Sequence, residues 1–433
     1  MKQRGAITLL VTTMVAVASL LFSLASYKNV FYQIKRTQNE VLTSQAHWKA
    51  EGGLECGYTT MKNSSNPENA DLPVFFPAGC DSELGIDLKA TKEPTTSNII
   101  LSSSFSDRAK KIIERTVIVK SNNNSSGVLQ TGSNMYTHSS IEIKKPDPGK
   151  EQSVGWECIA VKYRGVFSPT GSIINKGLSH INNDSFDRKG KDCLSTHMTN
   201  SGGGQNLLKD IVKDENMSPF KDFFGVSDAE HNKARDDKFD IILTDTSTGG
   251  KGENPYNGFA GCGPKIVEAM QKGHDAVWVE GHCDINAADF QKIVTLSQKL
   301  DGAMLLVHDG LFSIYPNSNA NADNKFQGII FHYNVDYKVN FADWNKSQAY
   351  SQLSHIPSVF GDNVKEASYF QRGSLWVSGG LILDAKHQES GKNKAQNALL
   401  DTSSVITYNG KHFKKFGGGG TEIKWLEGSW NDF

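Results

Sequence analysis

The sequence predicts an α+β chain: one long N-terminal helix, transmembrane and then amphipathic, followed by a large disulfide-stapled β-rich body. Three observations predict it. Residues Ala6–Tyr27 form a run of 22 residues without a charge, AITLLVTTMVAVASLLFSLASY. Apolar residues then recur at helical spacing, and no Pro or Gly interrupts the chain up to Glu51. Beyond that point, the texture changes to short apolar runs separated by Gly, Asn and Asp.

Composition sets the outer bounds. The chain has 433 residues, 38% hydrophobic and 21% charged, enough apolar material to exclude global disorder. With 46 Lys+Arg against 47 Asp+Glu the formal charge is −1, so no basic field is present and no nucleic-acid partner is expected. The 40 Gly and 32 Asn tolerate positive φ, which favours short strands and tight turns.

The apolar run comes first in the chain. At about 1.5 Å per residue it spans roughly 33 Å, enough to cross a hydrocarbon core of about 30 Å. Lys2 and Arg4 precede it, which keeps the first residues on the cytoplasmic side; Lys28, Lys35 and Arg36 come after it and weaken that bias. Three readings are open. One is a cleaved secretory signal, cut after a small-residue pattern such as Ala16-Val17-Ala18 or Ser23-Leu24-Ala25. The others are an uncleaved signal anchor, and a short basic leader, MKQRG, removed after Gly5 with the apolar stretch retained.

The residues after the apolar run bear on that choice. Tyr27, Ile34, Val41 and Trp48 are seven apart, with Val30 and Phe31 beside the same stripe, so they share one helical face. A cleaved signal gives no reason for the helix to run on in phase. The stripe packs either on the chain's own globular part or on other helices. Gly52-Gly53 is expected to weaken or end the helix, since Gly costs about 1 kcal/mol in a helix interior.

The opening MKQRG-AITLL, with AEGGLEC at Ala50–Cys56, resembles the minor pilins and pseudopilins of type IV pilus-like machines. It is most similar to the PilX-type minor pilins and the large K-type pseudopilin of type II secretion. The resemblance implies that a prepilin peptidase cuts after Gly5 and methylates Ala6. It implies a single-pass subunit of the inner membrane that later stands in the periplasm or outside the cell, at a filament tip. The implied partners are other minor and major pilins, the peptidase and the inner-membrane assembly platform. The implied function is to help initiate a filament and cap its tip, with no catalysis and no cofactor. Most pilins carry a glutamate at the fifth mature position, where this chain has Leu10. A carboxylate there is costly in lipid and pairs with the subunit ahead; a chain without it fits the tip, where nothing lies ahead. Two other functions stay open: a tip or surface adhesin gripping carbohydrate, protein or DNA through the β-rich body, and a secretion pseudopilin. An exported enzyme is the third class.

The six cysteines are Cys56, Cys80, Cys158, Cys193, Cys262 and Cys283, with no CxxC among them. Behind an export signal they read as disulfides rather than a zinc site. Of the 15 pairings that six Cys allow, spacing favours neighbours: Cys56–Cys80, Cys158–Cys193 and Cys262–Cys283. Each closes a short loop worth about 3–4 kcal/mol.

The organisation expected is a leader over 1–5, a membrane and filament helix over 6–56, a small α/β cap with linker over 57–126, and a β-rich exported domain over 127–433. In the last, runs such as DAVWVEGHCDI, GAMLLVHDGLFSIY and GSLWVSGGLILDA read as an apolar strand, a Gly turn and a second short strand. Stacked coils of that kind build a β-helix, here degenerate because the repeat is irregular; a β-sandwich with long loops is the alternative. Two helices interrupt it, near Gly263–Met270 with Pro264 at its start, and over Asn286–Lys299 with Asn286 as cap.

Residues that suggest chemistry are few. His308-Asp309 has no GxSxG elbow with it. The run Gly258–Lys265 lacks the order of a phosphate loop. The Asp/Asn runs Asp245–Thr248 and Asn317–Asn324 offer oxygen ligands to Ca²⁺ without EF-hand spacing. His274 and His282 flank a strand with no carboxylate to orient them. Trp278 and Trp376 read as core, whereas Trp425 and Trp430 read as exposed and able to grip a sugar or a subunit. No metal ligands are assigned.

Overall fold

Helix α1 runs unbroken over Arg4–Asn63 in a computed structural model. The structure describes residues 4–63, 70, 76, 80, 85–93, 98–120, 127–180, 186–316, 325–354, 357–417 and 422–432. They fall into two compact units, Met1–Ser121 with Thr421–Phe433, and Asn122–Gly420. The linker expected at Ser121–Ser126 and the Asn317–Asn324 run lie outside the described residues.

In the first unit, the C-terminal part of α1 packs on an antiparallel sheet of β1 (Ile86–Lys92), β2 (Ile99–Ser106) and β3 (Lys110–Lys120). Ala46, Ala50, Leu54 and Met61 bury one face of the helix, where Ala50, Leu54 and Met61 share a core with Ile99, Leu101, Ile113 and Val117; the spacing of four follows the helical turn. Here the weakening or end expected at Gly52-Gly53 is corrected: the helix continues to Asn63. A Cβ at Gly53 would stand 2.1 Å from Ile86 Cδ1 and 2.3 Å from Ser103 Oγ. The missing side chain lets helix and sheet touch, and that packing outweighs the helix propensity lost. Cys56–Cys80 ties the same turn of helix to the segment after it.

A second correction concerns the end of the chain. Glu422–Trp425 pairs antiparallel with β3, Glu422 opposite Lys120, and Asn431–Asp432 pairs further along it. The last residues therefore complete the first unit's sheet, and are not part of a body over 127–433. The second unit is an insertion between two neighbouring strands.

That second unit is a parallel β-solenoid. Its first coil is β4 (Leu129–Thr131), β5 (Asn134–Thr137) and β6 (Ile141–Lys145). Its second is β7 (Val161–Tyr163), β8 (Phe167–Pro169) and β9 (Ile173–Asn175), stacked in parallel on the first. After β10 (Ile211–Lys213), which pairs with β7, the chain crosses over through α2 (Pro219–Phe224) and α3 (His231–Lys238). It resumes at the other end of the stack with β11 (Ile241–Asp245), α4 (Gly258–Gln271), β12 (Ala276–Glu280), β13 (Cys283–Ile285) and α5 (Ala287–Lys299).

Further coils come next: β14 (Ala303–His308) with β15 (Phe312–Ile314), then β16 (Lys325–Asn334) with β17 (Ala367–Gln371). The last is β18 (Leu375–Glu389), β19 (Asn397–Leu400) and β20 (Ser404–Tyr408). It docks on the first, β18 on β4, β19 on β5 and β20 on β6. The chain thus joins the stack in its middle, climbs to one end, and returns from the other. Gly380 sits between Val128 and Phe413, so the insert starts and finishes at neighbouring points.

The stacking explains the run pattern. Inward residues such as Val277, Val279, Leu305, Val307 and Ile330 form the core between the two sheets. The outward set Trp278, Met304, Leu306, Ile329 and Phe331 is covered by Phe220, Phe223, Phe224 and Phe239 of the crossover. Both faces are dry, so AMLLVH shows no alternation: all six residues are buried. Gly328 (φ 137°) and Gly379 (φ 154°) pair across coils, and a Cβ on Gly328 would lie 1.7 Å from the Ala303 carbonyl oxygen; only glycine allows that approach.

Candidate functional site

Two features stand out: the outer face of α1, and a polar row under the solenoid crossover.

From Ile7 to Val41 every residue of α1 is exposed, about 52 Å of bare helix at 1.5 Å per residue. This stretch contains the apolar run, long and apolar enough to cross a membrane, and Leu10 is exposed within it. Gly5 and Ala6 are helical positions in the same element. Tyr27, Ile34, Val41 and Trp48 are all exposed, Trp48 at 68%. Trp48 and Ala50 stand about 200° apart around the axis at 100° per residue, so the stripe points away from the face that buries Ala46, Ala50 and Leu54. Packing on the first unit's own sheet does not use it. Neighbouring side chains make only local contacts, Tyr27 on Phe31 and Lys35 over Phe31.

In the solenoid, one register carries a row of polar groups. Glu280, His308, Tyr333 and Asp384 are successive partners on β12, β14, β16 and β18, and Arg164, after β7, reaches Asp384 at 3.3 Å. His308 Nδ1 lies 2.6 Å from Glu280 Oε2, while Trp278 Nε1 donates to Glu280 Oε1 at 2.7 Å. Burial pushes the Glu280 carboxyl up, but His308, Trp278 and Arg235 outweigh it and hold the group below the usual range. His308 Nε2 is buried and 3.6 Å from Asp309 Oδ2. Asp309 itself is a turn anchor: its Oδ1 accepts from the backbone N–H of Val335, Asp336 and Tyr337, at a φ of 46° that Asp tolerates. The His308-Asp309 pair therefore gains an orienting carboxylate, Glu280, but is sealed under Tyr333 and His231, whose rings lie 5.2 and 4.9 Å away.

The other candidates resolve into structural roles. The anion position at the start of α4 is filled by Asp245, whose Oδ1 accepts from Gly258 N and Ser247 N at 2.9 and 2.8 Å. This occupies the Gly258–Lys265 run and Asp245–Thr248 together. The helix starts earlier than the sequence suggests, leaving Pro264 in its interior, and Cys262–Cys283 fastens it to β13. Asn286 caps α5 through Asp289 N at 2.9 Å. His282 accepts from Leu311 N at 3.0 Å and stacks on Phe259; burial pushes its pKa down. Cys158–Cys193 closes the third bridge.

Trp278 is fully buried, whereas Trp376 is only half-buried, with Lys144 4.0 Å and Lys325 5.7 Å from its ring. Trp425 stacks on Tyr58 at 4.5 Å, and Arg115 lies 4.4 Å from Trp425 and 5.6 Å from Trp430. Among the described residues no three His, Cys, Asp or Glu converge on a metal position. Glu280, Arg164, Asp228, Asp384 and Lys386 escaped the sequence reading. For Glu280, Asp384 and Lys386 the signal is a charge in or closing an apolar strand, as in AVWVE and LILDAK, and it becomes meaningful only in register.

No protein-family model matches the chain, and no curated protein matches it. One solved structure it resembles is the competence-associated pilin ComZ from Thermus thermophilus, at 11% identity and TM-score 0.30, over 90% of this chain and 97% of that one. At that level the resemblance leaves the functional reading to this chain's own residues.

Proposed function

We propose that the chain is a minor pilin: a membrane-anchored subunit that enters a type IV pilus-like filament through α1, helps to initiate it and caps its tip. The observation that carries this reading is the bare helix. A soluble fold buries its apolar stripes, yet Ile7–Val41 is exposed throughout and its stripe faces away from the sheet. Lipid covers such a surface over the first half, and neighbouring helices over the second. Leu10 in place of a carboxylate removes the need for a subunit ahead. The solenoid inserted over 122–420 makes the exported part bulky, which suits few copies at one end of a thin fibre. The subunit is read as structural rather than enzymatic: His308, oriented by Glu280, is closed off by the rings of Tyr333 and His231.

A second reading, that the solenoid is a module displayed for adhesion, is favoured by its insertion between adjacent strands, β3 and Glu422–Trp425. Gly5→Asp should block leader removal and abolish filament incorporation, read by N-terminal sequencing and by fractionation of sheared filaments. Incorporation of an uncut chain, or a mature terminus near Ser26, would refute the minor-pilin reading.

A further inference from the structure

Asp228 is one of the acidic side chains that fasten the crossover to the solenoid. Asp228, between α2 and α3, accepts at Oδ1 from the Tyr333 hydroxyl at 3.0 Å and at Oδ2 from Lys386 Nζ at 2.5 Å. The Lys386 side chain is 3% exposed, and a second carboxylate, Asp384, fully buried, stands 4.0 Å from the same Nζ. Asp384 is fixed in turn by Phe220 N at 3.2 Å and by Arg164. The ring of Phe220 lies flat on Tyr333, centroids 4.0 Å apart. An amine and a carboxyl are thus held in contact, with a hydroxyl on the carboxyl oxygen and a second carboxylate near the amine; the amine is buried and the Asp228 side chain is 27% exposed. Lys233–Glu230, by contrast, has both side chains well exposed.

We propose that Lys386 and Asp228 condense to an intramolecular isopeptide bond. Lys386 Nζ passes one proton to Asp228 Oδ2, and the resulting amine attacks Cγ of the Asp228 carboxyl. The C–N bond forms, Tyr333 O–H supports the negative charge on Oδ1, and Asp384 takes a second proton from the nitrogen and delivers it to Oδ2, which leaves as water. Ammonium and carboxylate become one amide and one water, so no oxidant or cofactor enters. Two terms favour the product. Fixed contact replaces a bimolecular encounter, at effective concentrations of about 10⁵ M or more. The bond also replaces two charges, one of them on the buried Lys386 side chain, by a neutral amide. Burial first, and Asp228 second, push the Tyr333 pKa up, so its hydroxyl stays a donor.

The bond would lock the crossover over the Trp278–Phe331 face. It stands whether or not the chain enters a filament. The test is mass spectrometry of the full-length chain, purified in detergent, reduced and digested. The expected result is one cross-linked species joining the Asp228 and Lys386 peptides, lighter than their sum by one water, and absent from the Lys386→Arg variant. Recovery of both peptides unjoined from folded protein would overturn the proposal. Asp384→Asn should slow linking by roughly a hundredfold while the solenoid keeps its protease resistance; unchanged linking in that variant would eliminate the proposed route.

Discussion

The helical unit and the solenoid handle apolar surface in opposite ways. In the first unit β2 alternates, with Ile99, Leu101 and Ser103 buried under α1 and the residues between them half-exposed, the pattern of a sheet covered on one side. In the solenoid even the outward residues of β14 and β16 are covered, by a crossover carrying four phenylalanines. One unit spends part of the chain on hiding its outer face; the other leaves 35 residues of helix, Ile7–Val41, uncovered. The contrast teaches that bare apolar surface is not the rule in this chain: where the solenoid's outer face is apolar, the chain covers it with its own crossover.

The contrast can be broken most strongly in the solenoid. Trp278→Ala removes a fully buried ring between the crossover and β14 and should cost about 3–5 kcal/mol. Denaturant unfolding should show the loss in the solenoid transition, with amide protection of Ile99–Val117 unchanged; a shift shared by both units would mean that they unfold as one.

Acid offers the next test. His332 is fully buried on β16, and burial pulls its pKa down to about 4. The unfolded chain, with a histidine near 6.5, binds that proton first. Stability is therefore full above about pH 6.5, falls as the pH drops toward 4, and levels below it, a loss of about 3 kcal/mol from this residue. Urea midpoints of wild type and His332→Gln should converge across that window; parallel curves would refute the assignment.

Trp48→Ala is the smallest effect on the isolated chain, within about 0.5 kcal/mol for an exposed side chain, and should instead lower recovery in sheared filaments. A large loss of monomer stability would place Trp48 in an intramolecular core.

Much of the architecture is legible in short windows of sequence. The helix shows in charge-free length and seven-residue spacing, since helical periodicity is a local property of the backbone. The cysteines bridge at sequence separations of 24, 35 and 21, short loops that chain entropy favours. Gly52-Gly53 misled because propensity says nothing about what Gly53 approaches; Ile86 and Ser103 decide that.

The sequence by itself determined the long N-terminal helix, its seven-residue stripe and the strand-and-turn character of the body, each set by side chains a few residues apart. Only the tertiary structure decided the order of the coils, the return of Glu422–Trp425 to β3, and the meeting of Asp228, Tyr333, Asp384 and Lys386. Those depend on pairings such as Ile143 with Ile406, whose register is chosen by the burial of the whole stack. No short window of sequence contains that sum.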